Sequence, residues 1–346
     1  MIKLTPPMGW NSWNTFGENI NEKMIFETAD VMAESGLRDK GYEYLVIDDC
    51  WSLKERVDGK LVPDPKLFPS GMKALSDYIH SKGLKFGMYS CAGNMTCAGY
   101  PGSYEHEFVD AETFASWDVD FLKYDYCYHS PILHGKYLYR RMGLALENCG
   151  RDILFSACSW GADETHEWIK ETGASMWRST GDIFDTWDSV KDLVAQQEKL
   201  HPYNGVGCFN DMDMLIVGMH GKGNVGLAGC SDVQYQTHYA LWAFLGSPLM
   251  IGCDIREMSD ETRRILMNDE MIRINQDPLC RQPYKVKNHA WNDKVLIYVK
   301  ALADGDLAIG MFNLSDEKSR AAMNLDEIGL PFSTGRTLEL TEVWTC

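Results

Sequence analysis

The run from Phe121 to Cys127 joins an apolar stretch to two ionisable residues. Lys123 and Asp125 follow Phe121 and Leu122 directly. A short apolar run indicates a strand buried in a parallel sheet, and ionisable residues at its carboxyl end are costly to bury unless something pairs them. In a (β/α)8 barrel this strand end carries catalytic groups, which favours a functional role for Asp125. The alternative is a structural ion pair between Lys123 and Asp125.

Two carboxylates in different surroundings are the machinery of glycoside hydrolysis. Because Lys123 lies two residues from Asp125 on one strand face, we expect its positive charge to favour the ionised form of Asp125, as a nucleophile requires. Asp182 follows Gly181 on a predicted loop, where partial burial would raise its pKa and let it hold a proton for the leaving oxygen. The alternative for Asp182 is an exposed loop aspartate without a catalytic role.

Other residues near predicted strand ends have side chains that suit a sugar. Asp48 and Asp49 are able to bind hydroxyl groups, and the alternative is an ion pair or a helix cap. Trp13 and Trp160 are able to stack on the apolar face of a sugar ring, and the alternative is burial in the core.

The same sequence of an apolar run and then polar residues recurs along the chain. Such runs lead into Asp48, Cys158, Arg178 and Asn210, separated by segments of helix length. Predicted strands lie near 8–10 and at 44–48, 84–90, 119–125, 153–158, 175–178, 205–209 and 248–251. Predicted helices lie at 22–35, 70–82, 110–117, 133–148, 163–172, 185–199, 232–245 and 259–269. Eight such units in order predict a closed parallel barrel with polar groups around its mouth.

The pattern changes after Asp277 and Pro278. Short strands are predicted at 295–299, 307–312 and 337–340, joined by turn residues. The chain is therefore predicted to be an α/β protein with a catalytic (β/α)8 TIM barrel over 1–280. A small C-terminal antiparallel β-sandwich domain is predicted over 281–346.

Composition excludes several classes of partner. The formal net charge of −17 argues against nucleic acid and against anionic membranes. No apolar run approaches the ~20 residues of a membrane span. The N-terminal residues lack a signal-peptide core, which predicts a cytoplasmic location unless a leader has been removed. The eleven cysteines show no metal-ligand spacing, so neither a metal nor another cofactor is predicted, although Cys97 and Cys127 both fall beside polar strand ends.

Seven motifs in order resemble those of glycoside hydrolase family 27, the family of α-galactosidases and α-N-acetylgalactosaminidases. The resemblance covers residues 6 to about 280 and extends into the tail. The motifs are Met8-Gly9-Trp10-Asn11-Ser12-Trp13, Ile47-Asp48-Asp49-Cys50-Trp51, Thr96-Cys97-Ala98-Gly99-Tyr100-Pro101-Gly102-Ser103, Lys123-Tyr124-Asp125, Cys158-x-Trp160-Gly161, Arg178-x-x-Gly181-Asp182 and Asn210-Asp211-Met212-Asp213-Met214.

The resemblance implies a retaining exo-glycosidase that works by double displacement, with Asp125 as nucleophile and Asp182 as acid/base. It implies that the terminal sugar is bound by Trp13, Asp48, Asp49, Tyr89, Cys97, Lys123, Cys158, Ser159, Trp160, Ala162, Arg178, Asp213 and Met214. Cys97 and Cys127 match a pair that forms a disulfide in secreted relatives, and a cytoplasmic setting would keep the two thiols reduced.

Two departures from the family pattern change what is expected. Met212 stands where the family usually has proline, which would reshape the loop that carries Asp213. The chain ends earlier than its relatives, so the C-terminal sandwich is expected to be truncated, with an edge strand exposed.

The loop from Cys158 to Ala162 bears on the substrate. Ser159 and Ala162 are small, as in animal α-N-acetylgalactosaminidases, where a serine and an alanine accept the acetamide. Because α-galactosidase is the general activity of the family, we expect an α-galactosidase acting on terminal α-D-galactosides first. An α-N-acetylgalactosaminidase is the close alternative, and a non-catalytic carbohydrate-binding relative is a remote one. The aglycone and the oligomeric state are left open.

Overall fold

Eight parallel strands form one sheet in the computed structural model, which describes residues 4–290, 294–335 and 337–344. The strands are β1 (Met8–Asn11), β2 (Tyr44–Val46), β3 (Lys85–Cys91), β4 (Phe121–Asp125), β5 (Leu154–Cys158), β6 (Met176–Arg178), β7 (Phe209–Asp211) and β8 (Leu249–Ile251). Each strand from β2 to β7 pairs with its predecessor, and β8 pairs with β1. This order is that of a (β/α)8 barrel, as predicted.

The barrel closes through a residue that lies just beyond β7. Among the described residues β7 and β8 share no ladder, and Leu215 instead forms a parallel bridge to Ile251. Leu215 N donates to Met250 O at 2.7 Å, and Gly252 N donates to Leu215 O at 2.9 Å. The loop after β7 therefore completes the wall of the barrel, and this loop carries Asp213.

A helix follows every barrel strand. The described α-helices are α1 (Trp13–Phe16), α2 (Glu22–Glu34), α3 (Gly71–Ser81), α4 (Glu107–Ser116), α5 (Gly135–Asn148), α6 (Thr165–Trp168), α7 (Trp187–Ala195), α8 (Asp232–Phe244), α9 (Asp260–Leu266) and α10 (Asp269–Asn275). Several begin at a side-chain cap, which satisfies an otherwise unpaired backbone N–H. In α2, for example, Asn21 accepts from Met24 N at 3.0 Å. None of the described helices is both long and apolar enough to cross a membrane.

A layer of buried apolar side chains lies inside the barrel. Its members are Tyr44, Val46, Phe121, Leu154, Met176, Phe209, Met214, Met250 and Cys280, with Trp13 packed against them. Since side chains alternate along a strand, the inward position of Phe121 places Lys123 and Asp125 on the same inner face above it. Gly9 lets β1 approach β2, because a Cβ there would lie 2.3 Å from Tyr44 O. The polar groups thus lie above this apolar layer, which we call the apolar floor.

The C-terminal strands form a separate antiparallel sheet. It contains β9 (Tyr284–Val286), β10 (Val295–Ala301) and β11 (Leu307–Asn313), in the order β11-β10-β9. This sheet packs on the barrel through an edge-to-face contact between Phe312 and Phe244 of α8, with ring centroids 5.4 Å apart. The prediction of a strand at 337–340 is wrong, because these residues pair with no other strand and lie exposed on the surface.

Three other predicted elements differ from the structure. The strand predicted at 205–209 is instead β7 at Phe209–Asp211, because Gly205 and Cys208 close a turn, with Cys208 N donating to Gly205 O at 3.1 Å. The helix predicted at 163–172 is a series of short turns around α6. The helix predicted at 259–269 ends at Leu266, and Asn268 then caps the unpredicted α10 by accepting from Met271 N at 2.9 Å.

Candidate active site

Asp125 ends β4 and lies buried at the centre of the polar cluster. Tyr89 Oη donates to Asp125 Oδ2 at 3.0 Å, and Tyr126 N donates to Oδ1 at 2.9 Å. Burial raises the pKa of Asp125 to about 6, although the positive charge of Lys123 opposes this shift. Lys123 therefore favours the anion as predicted, but burial outweighs this one nearby cation and leaves the pKa of Asp125 above its usual value.

Lys123 forms its ion pair with Asp48 and not with Asp125. Its Nζ lies 2.7 Å from Asp48 Oδ2, and the pair is almost enclosed. Asn11 Nδ2 donates to the same oxygen at 2.7 Å, and Asp49 N donates to Asp48 Oδ1 at 3.0 Å. Burial alone would lower the pKa of Lys123, but the charge of Asp48 raises it. The predicted alternative of a Lys123–Asp125 ion pair is thus wrong, and the ion pair offered as the alternative for Asp48 is present.

Asp49 holds two loops together. Cys50 N donates to Asp49 Oδ1 at 2.7 Å, and Ala98 N donates to Asp49 Oδ2 at 3.0 Å. Burial raises the pKa of this carboxyl, and the hydrogen bonds from Ala98 and Cys50 oppose the rise. The carboxylate therefore fixes the loop after β2 against the loop after β3, which carries Cys97.

A disulfide joins Cys97 to Cys127 beside Asp125. The two Cα atoms lie 5.2 Å apart. The sulfur atoms and a carboxylate oxygen of Asp125 all lie within 4.8 Å of one another. The bridge thus ties the loop after β3 to the residues that follow the predicted nucleophile.

A second charged group surrounds Arg178 at the end of β6. Its Nη2 donates to Asp182 Oδ1 at 2.9 Å, and its Nη1 lies 3.1 Å from Asp213 Oδ1. Arg178 is buried, whereas the side chain of Asp182 is 57% exposed. Burial alone would raise the pKa of Asp182, but the charge and the hydrogen bond of Arg178 together lower it. The predicted rise in the pKa of Asp182 is therefore wrong, because the neighbouring Arg178 stabilises the ionised carboxylate.

Asp213 fixes the segment that carries Asp182. Ile183 N donates to Asp213 Oδ2 at 2.7 Å, and Met214 N donates to Asp213 Oδ1 at 2.7 Å. The backbone of Asp213 has a φ of 77°, a left-handed conformation that turns the chain sharply after β7. Met214 itself lies in the apolar floor described above.

The loop after β5 lies between the two charged groups. Cys158 Sγ accepts from Arg178 Nη1 at 3.5 Å, and the charge of Asp125 also acts on this thiol, whose pKa is raised by burial. Trp160 is partly buried and packs edge-on against Tyr126, with centroids 6.4 Å apart. Cys158 thus connects the Asp125 cluster with the Arg178 cluster.

Ser159 turns away from the open side of this loop. The residue has no exposed surface, and its Oγ lies 2.6 Å from Thr165 Oγ1. Ala162, three residues further on, remains partly exposed. The predicted space beside a sugar therefore does not open at Ser159, because its hydroxyl is committed to the interior of the loop.

Two further polar residues of the site were missed. Asn11 ends β1 and, besides its bond to Asp48, accepts from Trp13 N at 2.9 Å. Asp211 ends β7, accepts from Asp213 N at 2.9 Å, and has its pKa raised to about 6 by burial. The signal was present in the sequence, since both stand at the carboxyl ends of barrel strands inside motifs already noted.

The chain is similar to known proteins over most of its length. The family model described as alpha galactosidase A matches residues 5–277. An alpha-galactosidase of Cyamopsis tetragonoloba is 44% identical over 342 residues, which cover 98% of this chain and 80% of the relative. Alpha-galactosidase A of Cellvibrio japonicus is 46% identical over 91% of this chain and 78% of its own length. The structure of an alpha-galactosidase from Saccharomyces cerevisiae with raffinose superposes with a TM-score of 0.81 at 33% identity, covering 90% of this chain and 74% of that one.

Proposed function

Since this chain belongs to glycoside hydrolase family 27, we propose that it is an α-galactosidase that releases terminal α-linked D-galactose by double displacement. The observation that carries the proposal is a pair of carboxylates at one barrel mouth, Asp125 at the end of β4 and Asp182 in the loop after β6. Asp125 is buried and held by two hydrogen-bond donors, whereas Asp182 lies at the open rim. The relatives named above carry the same activity in their descriptions.

In the first step Asp125 attacks the anomeric carbon of galactose. The bond from that carbon to the leaving oxygen breaks as the new carbon–oxygen bond forms, and Asp182 gives its proton to the leaving oxygen. In the second step Asp182 takes a proton from water, whose oxygen attacks the same carbon and releases Asp125. Tyr89 and Tyr126 N orient the carboxylate of Asp125 for both steps.

The remaining polar groups are placed to bind the galactose hydroxyls. Asp48 and Lys123 form one charged pair, which joins β4 to the loop after β2, and Arg178 and Asp213 form another, which joins the end of β6 to the loop after β7. Each pair offers both acceptors and donors, which suits hydroxyl groups that donate and accept. Trp13, which packs on the apolar floor, supplies a ring face for stacking.

The structure favours galactose over N-acetylgalactosamine. An acetamide needs room beside the 2-position, and Ser159 provides none because its hydroxyl is paired with Thr165 inside the loop. The α-N-acetylgalactosaminidase alternative therefore rests on the small, partly exposed Ala162 alone.

The test compares nitrophenyl α-galactoside with nitrophenyl α-N-acetylgalactosaminide under one set of conditions. We expect kcat/KM to favour the galactoside by at least tenfold. NMR of the first-formed sugar should show the α-anomer, since double displacement retains the configuration. Initial release of the β-anomer would overturn the mechanism, and a preference for the acetamido sugar would overturn the substrate.

A further inference from the structure

Two sulfur atoms lie beside the carboxylate of the proposed nucleophile. The sulfur atoms of Cys97 and Cys127 and one oxygen of Asp125 are all within 4.8 Å of one another. In the disulfide the two sulfur atoms are bonded to each other and carry no charge, so they are poor metal ligands. After reduction both are able to ionise to thiolates, which is the form that binds metal ions. The cluster therefore offers a metal ion two thiolates and a carboxylate only when the bridge is open.

Backbone contacts hold the two cysteines near each other without the bridge. Ala98 N, in the residue after Cys97, donates to Asp49 Oδ2 at 3.0 Å. Gly93 packs directly on the other side of the bridge, since a Cβ at residue 93 would lie 2.0 Å from Cys127 O. The two Cα atoms, which are 5.2 Å apart, therefore remain close after reduction. Rotation of the two side chains is enough to reach the distance of about 3.8 Å between two thiolates on one tetrahedral zinc ion.

The carboxylate of Asp125 is already oriented by its neighbours. Tyr89 Oη and Tyr126 N each donate to one of its two oxygens. A carboxylate oxygen has more than one lone pair, so these bonds leave room for a metal ion. Hydrogen bonds of this kind fix the direction of a ligand carboxylate and strengthen metal binding.

The cluster is accessible from solvent through its cysteines. Cys97 is exposed and Cys127 is partly exposed, whereas Asp125 is buried. A reductant and a metal ion are therefore able to reach the sulfur atoms directly. Of the free cysteines that the structure describes, Cys149 is partly exposed and the others are buried, so few other thiols compete for a metal ion.

We propose that the reduced enzyme has an inhibitory Zn²⁺ site made of Cys97, Cys127 and Asp125. A dithiol supplies the reduction: the S–S bond breaks, each cysteine sulfur takes up one proton, and the dithiol leaves as a cyclic disulfide. Zn²⁺ then replaces these two protons. Two thiolates and a carboxylate suit a tetrahedral Zn²⁺ with water as the fourth ligand, whereas Mg²⁺ and Ca²⁺ prefer oxygen ligands alone.

Zinc in this site inhibits because it occupies an oxygen of Asp125, the residue that attacks the anomeric carbon. A carboxylate whose electron pair is shared with Zn²⁺ is a poor nucleophile. Oxidation of the two thiolates to the disulfide removes two of the three protein ligands and releases the ion. The effect on activity rests on the proposed α-galactosidase function, whereas zinc binding itself does not depend on that function.

The test compares oxidised and reduced enzyme from one preparation. One half is reduced with dithiothreitol, which is then removed by gel filtration without oxygen. Equilibrium dialysis and metal analysis should find one more Zn²⁺ per chain in the reduced half. Zn²⁺ should lower kcat/KM for nitrophenyl α-galactoside at least tenfold in the reduced half and less than twofold in the oxidised half, and a chelator should restore the lost activity. Mg²⁺ at the same concentration should leave both halves unchanged.

Variants identify the ligands of the reduced enzyme. Cys97→Ser, Cys127→Ser and Asp125→Asn should each bind Zn²⁺ at least tenfold more weakly than the reduced native enzyme. Cys149→Ser is the matched control, since it removes a partly exposed thiol at the end of α5 and should bind Zn²⁺ within twofold of the native affinity.

Three results would decide against parts of this account. Equal zinc binding by the oxidised and the reduced halves overturns the site, and so does native affinity in both cysteine variants. Zinc that binds the reduced half and leaves kcat/KM within twofold overturns the inhibition. An oxidised enzyme that hydrolyses no α-galactoside overturns the α-galactosidase function, while the dialysis still decides whether the zinc site exists.

Discussion

Arg178 Nη2 donates a hydrogen bond to Asp182 Oδ1 at 2.9 Å, and this contact stabilises the ionised form of the residue that we propose as the acid. The pKa of Asp182 is lowered, whereas burial raises the pKa of Asp125 to about 6. A single proton on the pair therefore resides mainly on Asp125. The productive form, with Asp125 ionised and Asp182 protonated, is the minor one of the two.

This distribution predicts the pH dependence of the native enzyme. As pH rises through about 6 the last proton of the pair is lost, and no acid remains for the leaving oxygen. We therefore expect kcat/KM for galactosyl-α-1,6-glucose to fall as pH rises through about 6. A rate profile from pH 4 to 9 checks this expectation, and a profile that is still rising at pH 7 would contradict it.

The variant Asp182→Ala should reverse the sign of this dependence. With dinitrophenyl α-galactoside, whose leaving group needs no proton, kcat/KM depends only on ionised Asp125 and should rise as pH passes about 6. Asp188→Ala is a control, since Asp188 is a mainly exposed aspartate on α7 and should keep the native profile. A variant profile that is flat from pH 4.5 to 8 would show that the pKa of Asp125 is not raised.

A third prediction concerns Asp48→Asn. The negative charge of Asp48 raises the pKa of Asp125, and the charge of Lys123 lowers it. The Asp48→Asn variant loses the charge of residue 48 and leaves Lys123 unpaired, so the pKa of Asp125 should fall. When Asp48→Asn is combined with Asp182→Ala, kcat/KM should therefore rise at a lower pH than in Asp182→Ala alone. Loss of a buried partner should also cost about 3–5 kcal/mol of unfolding free energy, measured in urea.

The control for this variant is Asp110→Asn. Asp110 is equally buried and paired with Arg56, but its charge is not among the main causes of the pKa shift of Asp125. It should lose stability in the same way without any shift in the pH profile. A shift in the control as large as in Asp48→Asn would mean that both profiles report partial unfolding.

The barrel and the positions of its polar groups were predictable because their signals are local. An apolar run that ends in Lys123 and Asp125 fixes both a strand and the face on which the two side chains stand. Local signals also placed Asp48 just after β2 and Arg178 at the end of β6. Turn-forming residues were harder, since Gly205 and Gly207 interrupt what looks like an apolar strand before β7.

The protonation states and the direction of Ser159 were not predictable, because they depend on distant partners. Lys123 is paired with a residue 75 positions away, and Asp125 accepts from Tyr89 at a separation of 36. Burial of Asp125 comes from strands on both sides of β4. No local pattern shows whether burial or a neighbouring charge has the larger effect on a pKa. The directions of the pKa shifts therefore follow only from the three-dimensional structure.

A fourth prediction concerns the disulfide. In the chain-entropy picture, a bridge that closes a loop of about 30 residues stabilises the fold by about 3–4 kcal/mol. The variant Cys97→Ser/Cys127→Ser should therefore unfold at a lower urea concentration and lose kcat/KM, because the loop after β3 forms part of the site. Cys149→Ser, which removes a free cysteine on the outside of the barrel, is the control. Equal stability of the double variant and the native enzyme under oxidising conditions would mean that the bridge does not form.

The last prediction concerns Ser159→Glu. Because Ser159 has no exposed surface and its hydroxyl is bound to Thr165, a glutamate there has to bury its charge or displace the loop. We expect a loss of several kcal/mol in unfolding free energy. The ratio of kcat/KM between galactoside and N-acetylgalactosaminide should remain within threefold of the native ratio. Ala162→Glu places the same charge at a partly exposed position and should cost far less stability. A stable Ser159→Glu enzyme with a ratio changed tenfold or more would show instead that the side chain at 159 reaches the sugar.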